Sequence, residues 1–127
     1  MLTITEDIAD KVFFTADHHF GHENIIKFCE RPFDTVEQMD AALIQAWNET
    51  VPEDGIVFHL GDFCLGTGNE AKHYFSQLNG QIFIIMLRWH HDRHWFGHSQ
   101  TMLSKQKHVV SYRPPEVVIE VPFLGGK

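Results

Sequence analysis

The sequence predicts an α/β domain with a largely parallel sheet, on three observations. Short apolar runs alternate with amphipathic segments, strand then helix, three times over. Each apolar run ends in polar residues of ligand type: Asp17-His18-His19, Gly61-Asp62 and His90-His91-Asp92. The chain of 127 residues is long enough for one core and too short for two, so a single domain is expected over residues 1–127. With 43% hydrophobic and 21% charged residues, its composition is that of a folded protein.

The elements follow in order. Lys11 to Ala16, with Val12, Phe13 and Phe14, is too short for a helix and rich in strand formers, so it reads as a buried strand stopping at Asp17. Asn24 to Cys29 reads as a short helix, closed at Arg31-Pro32-Phe33 because the residue before a proline is pushed out of the helical region. Asp34-Thr35-Val36-Glu37 has the form of a capping box, and behind it Val36, Met39, Leu43, Ala46 and Trp47 recur at helical spacing. Pro52-Glu53-Asp54-Gly55 is a turn, and Ile56 to Leu60 is a second buried strand running into Gly61-Asp62. Asn69 to Leu78 reads as a helix stopped by Asn79-Gly80, and Gln81 to Leu87 as a third buried strand. Past the histidine-rich stretch His90 to His94, a helical segment is expected through Leu103. Two strands, His108 to Tyr112 and Val117 to Val121, then read as a hairpin or a strand pair around Arg113-Pro114-Pro115-Glu116.

Charge and composition narrow the function classes. Ten Lys+Arg against 17 Asp+Glu leave a net charge of -7, which argues against a nucleic-acid binder that works by neutralising phosphates. No apolar run approaches the roughly 20 residues that span a bilayer. The first ten residues carry Glu6, Asp7 and Asp10 and lack a basic stretch followed by an apolar one, so neither a signal nor a transit peptide is expected. Cys29 and Cys64 form no CxxC, and a reducing cytoplasmic setting is the simplest expectation. Histidine is the anomaly: ten residues, as many as Lys and Arg combined, each able to ligate a metal or carry a proton near neutral pH.

In open α/β sheets ligands bind at the carboxyl ends of the strands, so three polar clusters at three strand ends should converge on one crevice. Along an extended chain residues i and i+2 face one way, which lets Asp17 and His19 grip one ion while His18 points the other way. One carboxylate with one imidazole makes half of a transition-metal site. Each cluster taken singly has a plainer reading: Asp17 to His19 as a turn with a helix cap, Asp62 as a turn residue. Their occurrence in order, each at a strand end, favours the ligand reading.

These blocks resemble the calcineurin-like metallophosphoesterases. Asp17-His18-His19 corresponds to the family's Asp-x-His block, Gly61-Asp62 to its Gly-Asp block, and Arg88-Trp89-His90-His91-Asp92 to its Gly-Asn-His-Asp/Glu block. The stretches from Ala16 to Ile26 and from His59 to Phe63 look like the small bacterial and phage branch, and the likeness runs from Lys11 to Trp95. The resemblance implies a β-sandwich flanked by helices around two divalent transition-metal ions, Mn, Fe or Zn. Asp62 would bridge the ions, Asp17 and His19 would hold the first, and His90 would help to hold the second. Two such ions, about 3.5–4 Å apart, clamp a phosphoryl group and supply hydroxide for in-line attack on a phosphoester substrate. His91 would be the general acid, oriented by Asp92. Arg88 or Arg93 can steady the phosphate, or be surface charges; His22 can reach the site or substrate, or be a polar residue at a helix start.

Two departures qualify the match. Trp89 and His90 stand where the family has Gly and Asn, so a small turn residue becomes an indole and an amide ligand becomes an imidazole. The family's downstream Gly-His-x-His block is missing, which implies a C-terminally incomplete member in which only His94, His98 and His108 remain unassigned beyond the third block. Missing strands would expose a sheet edge and favour pairing with a second copy. Two functions remain in view: a metal-dependent phosphoesterase acting on a phosphomonoester or phosphodiester, and a catalytically impaired relative serving as a metal-binding or assembly module. A third reading makes the histidines core or surface residues of an unrelated α/β domain.

Overall fold

In the computed structural model, which describes residues 2–64, 68–85, 101–104, 107–112 and 119–120, with side chains over 3–64 and 69–85, the three apolar runs lie side by side in parallel. Strand β1 (Leu2–Thr3) and a 3-10 turn (Ala9–Lys11) lead into β2 (Val12–Thr15). Helices α1 (Asn24–Phe28) and α2 (Val36–Thr50) connect to β3 (Ile56–His59), and α3 (Gly68–Phe75) connects β3 to β4 (Gln81–Ile85). Strands β5 (Thr101–Ser104), β6 (Lys107–Tyr112) and β7 (Ile119–Glu120) follow. The main sheet has the order β2-β3-β4-β6-β5, parallel throughout except for the antiparallel β5, and β7 pairs with β1 in a separate two-stranded sheet. The α/β class with a parallel sheet is therefore as the sequence predicts.

The C-terminal strands differ from expectation. Thr101–Ser104 is a strand where a helical segment was expected, and the antiparallel partner of β6 is β5, with Ser104 opposite Lys107. Both sides of β6 are taken, by β4 and by β5, so β7 pairs elsewhere. The first strand is half-buried and not buried: among the described residues β2 is a sheet edge, and Phe14 is 55% exposed. The cap of α2 sits one residue later than the capping box predicted. Thr35, with extended backbone, accepts the Gln38 N–H on its hydroxyl at 3.2 Å, and the Gln38 side-chain oxygen accepts the Asp34 N–H at 3.2 Å.

The two sheet faces are unequal. Val57, His59, Ile82 and Ile84 alternate onto one face and are fully buried, under a layer in which α2 contributes Trp47 and α3 contributes Ala71 and Phe75. Phe63 and Phe75 stack at 4.1 Å within this core. On the other face Phe14, Phe58 and Phe83 stack across β2, β3 and β4 at 5.3 and 5.2 Å, in the registers Phe14↔Phe58 and Phe58↔Phe83. Side-chain bonds fix α2 to the segment ahead of β4: Trp47 Nε1 donates to the Asn79 carbonyl at 2.9 Å, and the Asn79 N–H donates to Asn48 Oδ1 at 2.9 Å. Gly80 follows with φ +95 and the Gly55 carbonyl 3.1 Å from where a Cβ would stand, which accounts for glycine there. No helix among the described residues is long and apolar enough to cross a membrane.

Candidate metal centre

Strands β2 and β3 are in register up to Thr15 opposite His59, and their pairing continues past both strand ends. Leu60 N–H donates to the Thr15 carbonyl at 2.8 Å, Asp17 N–H to Gly61 at 3.0 Å, His19 N–H to Asp62 at 3.0 Å and Phe20 N–H to Phe63 at 2.9 Å. A bridge between Phe20 and Cys64 closes the run. Along this zipper the backbone is kinked: Asp17, His19 and Asp62 have φ of 62, 55 and 54°, in the left-handed region that costs an L-residue about 1–2 kcal/mol and that Asp and His enter more readily than most.

The kinks bring the predicted ligands together. One donor atom each from Asp17, His19 and Asp62 lies within 4.8 Å of the others, and His19 Nε2 stands 3.9 Å from Asp62 Oδ2. The sequence expectation that Asp17 and His19 share a side therefore holds, but through left-handed turns and not through the flat alternation of an extended strand. Two carboxylates and an imidazole are donor types that first-row divalent ions accept, so these three residues are a candidate partial ligand set. Burial lowers the pKa of His19, with Asp62 opposing and the Arg31 guanidinium assisting, so at neutral pH its ring carries a ligand lone pair.

His22 lies beside this set and not in it, with its Nδ1 3.3 Å from His19 Nδ1. Such a contact to the far nitrogen of a ligating imidazole fixes its tautomer and ring plane. His18 points the other way, as expected, into a wall formed by Phe20, Trp47 and His59 at ring distances of 5.3, 5.2 and 5.0 Å. Burial, aided by Arg31 and His19, pushes its pKa down to about 4. The Gly61 N–H donates to His59 Nδ1 at 3.2 Å, so the His59 proton sits on Nε2 and donates to His18 Nδ1 at 2.9 Å.

Three residues at the site escaped the sequence reading. His59, fully buried, supports the Gly61 turn; its signal was a histidine inside an apolar strand. Arg31 donates from Nη2 to the Asp17 carbonyl at 2.6 Å and from Nη1 to the His18 carbonyl at 2.7 Å. Asp40, whose pKa is raised by burial, accepts the Gly21 N–H at 3.1 Å and the Tyr74 hydroxyl at 3.0 Å, tying the ligand loop to α2 and α3. Nothing in the sequence marks which carbonyls Arg31 meets or which loop Asp40 holds.

Of the remaining predicted site residues, Arg88, His90, His91, Asp92 and Arg93 lie outside the described residues. Parallel pairing of β3 with β4 does put the C-terminal end of β4 at the same end of the sheet as Asp17 and Asp62.

No protein-family model matches the chain. It is similar to the uncharacterized protein MJ1445 of Methanocaldococcus jannaschii, 41% identical over 85 residues, which cover 65% of this chain and 47% of that one. It is also similar to the Gene 66 protein of Mycobacterium phage L5, 38% identical over 61 residues, 48% of this chain and 29% of that one. Among solved structures, the protein of unknown function AQ665 from Aquifex aeolicus superposes with a TM-score of 0.51 at 20% identity, over 84% of this chain and 61% of that one. The chain thus spans less than half of either curated relative and about three-fifths of the solved chain. The structural likeness carries the fold.

Proposed function

We propose that this chain is a metal-dependent phosphoesterase of the calcineurin-like kind, acting on a phosphomonoester or phosphodiester in a reducing, cytoplasmic setting. The observation that carries the reading is the convergence of Asp17, His19 and Asp62 from two adjacent strand ends, at residues whose left-handed backbone serves the ligand geometry better than the sheet. Two divalent transition-metal ions, Mn, Fe or Zn, would supply Lewis acidity toward the phosphoryl oxygens and a nucleophile from water at neutral pH. Asp17, His19 and Asp62 would hold one ion, and Asp62 with His90 would reach the second. The aromatic face of Phe14, Phe58 and Phe83 is the kind of surface on which the second sheet of a β-sandwich packs, and the β2 edge is where a second copy would pair.

Water would add across the P–O bond: its oxygen would join phosphorus as the bond to the leaving oxygen breaks, that oxygen would take a proton from the His91 imidazolium, oriented by Asp92, and the proton given up by water would return through solvent to recharge His91. Arg88, Arg93 and His22 would be the groups that steady the phosphate or its substituent. The test pairs elemental analysis of size-separated protein with Mn²⁺-dependent hydrolysis of p-nitrophenyl phosphate and bis(p-nitrophenyl) phosphate. About two ions per chain, with turnover abolished in Asp62→Asn, is the expected result. Metal-independent turnover, or full activity in Asp62→Asn, refutes the reading. One ion and no turnover would leave the chain as a metal-binding or assembly module.

A further inference from the structure

We infer that Arg31 is a positioning residue that locks the kinked ligand loop by gripping two consecutive carbonyls. This rests on the metal-centre reading above. The left-handed turn at Asp17 lifts the Asp17 and His18 carbonyls off the ladder: among the described residues neither accepts a backbone N–H, whereas the Asp17 and His19 N–H groups remain in the zipper with Gly61 and Asp62. Arg31 takes both carbonyls, one on each terminal nitrogen, at 2.6 and 2.7 Å. Two parallel donors in a rigid plane suit two neighbouring acceptors, a match that the single ammonium of lysine lacks.

The stem of Arg31 is itself held. Glu30 at φ 50° ends α1 in the left-handed region, Arg31 N–H donates to the Ile26 carbonyl at 3.0 Å, and Pro32 bars the helix from continuing. Nη1 also lies 3.3 Å from Met39 Sδ on α2. The guanidinium thus joins the exit of α1, the body of α2 and the loop that carries Asp17 and His19. Its oxygen partners are backbone carbonyls and not the ligand carboxylates, so it acts on the direction of the ligands and leaves their lone pairs to the ion.

The experiment compares the full chain with Arg31→Ala and Arg31→Lys by Mn²⁺ calorimetry and, in metal-free protein, by amide hydrogen exchange. In Arg31→Ala the Mn²⁺ dissociation constant should rise about 10–100-fold, as for other groups that orient metal ligands. Exchange at Asp17, His19 and Phe20 should quicken at least about tenfold while α2 and β4 keep their protection. Methylguanidinium added to Arg31→Ala should restore both, and Arg31→Lys should restore neither fully. Unchanged affinity and unchanged loop exchange in Arg31→Ala overturn the proposal, as does exchange that quickens equally throughout the chain. Should Arg31→Ala fail to fold, Arg31→Lys decides: wild-type affinity and loop exchange there overturn it. A wild-type chain that binds no Mn²⁺ refutes the metal reading, and the exchange arm still decides for or against Arg31.

Discussion

The His19 N–H donates to the Asp62 carbonyl at 3.0 Å, and the side chains of the same two residues stand with His19 Nε2 3.9 Å from Asp62 Oδ2. One strand pairing thus sets both the backbone ladder and the candidate ligand pair. A flat parallel ladder would send these side chains away from each other at successive positions; the positive φ of both residues turns them toward a common point. The ladder bonds on either side, from Asp17 to Gly61 and from Phe20 to Phe63, hold the strained residues in place.

If that strain is kept for ligand geometry, relieving it should raise stability while removing the site. In metal-free protein, Asp62→Gly should be about 1 kcal/mol more stable than Asp62→Ala, because glycine enters the left-handed region without the Cβ penalty. Both variants should lose Mn²⁺ binding. Urea unfolding in the presence of a chelator measures the difference, and equal midpoints would show that the backbone at Asp62 is unstrained.

His18 gives the chain a pH signature. Its folded pKa is about 4, against 6.5 for the free ring, so between these values the unfolded chain binds the extra proton. The contribution to stability is complete above about pH 6.5 and is lost as pH falls toward 4. At about 1.4 kcal/mol per pKa unit, the loss is on the order of 3 kcal/mol, and His19, also depressed, adds in the same direction. Chelator-treated protein should therefore show a falling urea midpoint from pH 7 to 4.5, and His18→Asn should flatten that slope. A slope unaltered in His18→Asn would place the titrating group elsewhere.

Trp47 separates packing from ligation. It is buried at 5% exposure, donates to the Asn79 carbonyl and lies against the His18 ring. Trp47→Phe should cost about 1–3 kcal/mol, chiefly from the stranded Asn79 carbonyl. Trp47→Ala should cost about 3–5 kcal/mol through the cavity it leaves. Mn²⁺ affinity in folded Trp47→Phe should stay within about threefold of wild type; a tenfold loss would mean that the His18 wall steers the ligand loop.

What was legible in the sequence followed from local rules. The apolar runs at Val12, Ile56 and Gln81, the helical spacing from Val36 to Trp47 and the ligand-type residues after two strands all reflect period and composition, and the structure brings Asp17, His19 and Asp62 together. What was not legible depends on partners distant in sequence. The Arg31 grip on Asp17 and His18 spans 14 and 13 positions, and the Tyr74 bond to Asp40 spans 34. The pairing of β7 with β1 could not be read from β7 itself, because it follows from β6 having both of its sides occupied.

The adjacent histidines of the third block can be told apart by leaving group. In the proposed reading His91 is the general acid; such a group assists only a leaving oxygen that needs a proton, and the assistance is worth about 10²–10⁴ in rate. A p-nitrophenolate departs as a stable anion; an alkoxide does not. His91→Asn should therefore lower kcat on an alkyl phosphoester by about 10²-fold or more while kcat on the p-nitrophenyl ester falls by less than about tenfold. The proposed role of His90 is that of a metal ligand, which would serve every substrate alike, so His90→Ala should depress both esters together and weaken Mn²⁺ binding. Equal losses on the two esters in His91→Asn would assign His91 to the metal and leave the proton to another group; a selective loss in His90→Ala would exchange the two roles.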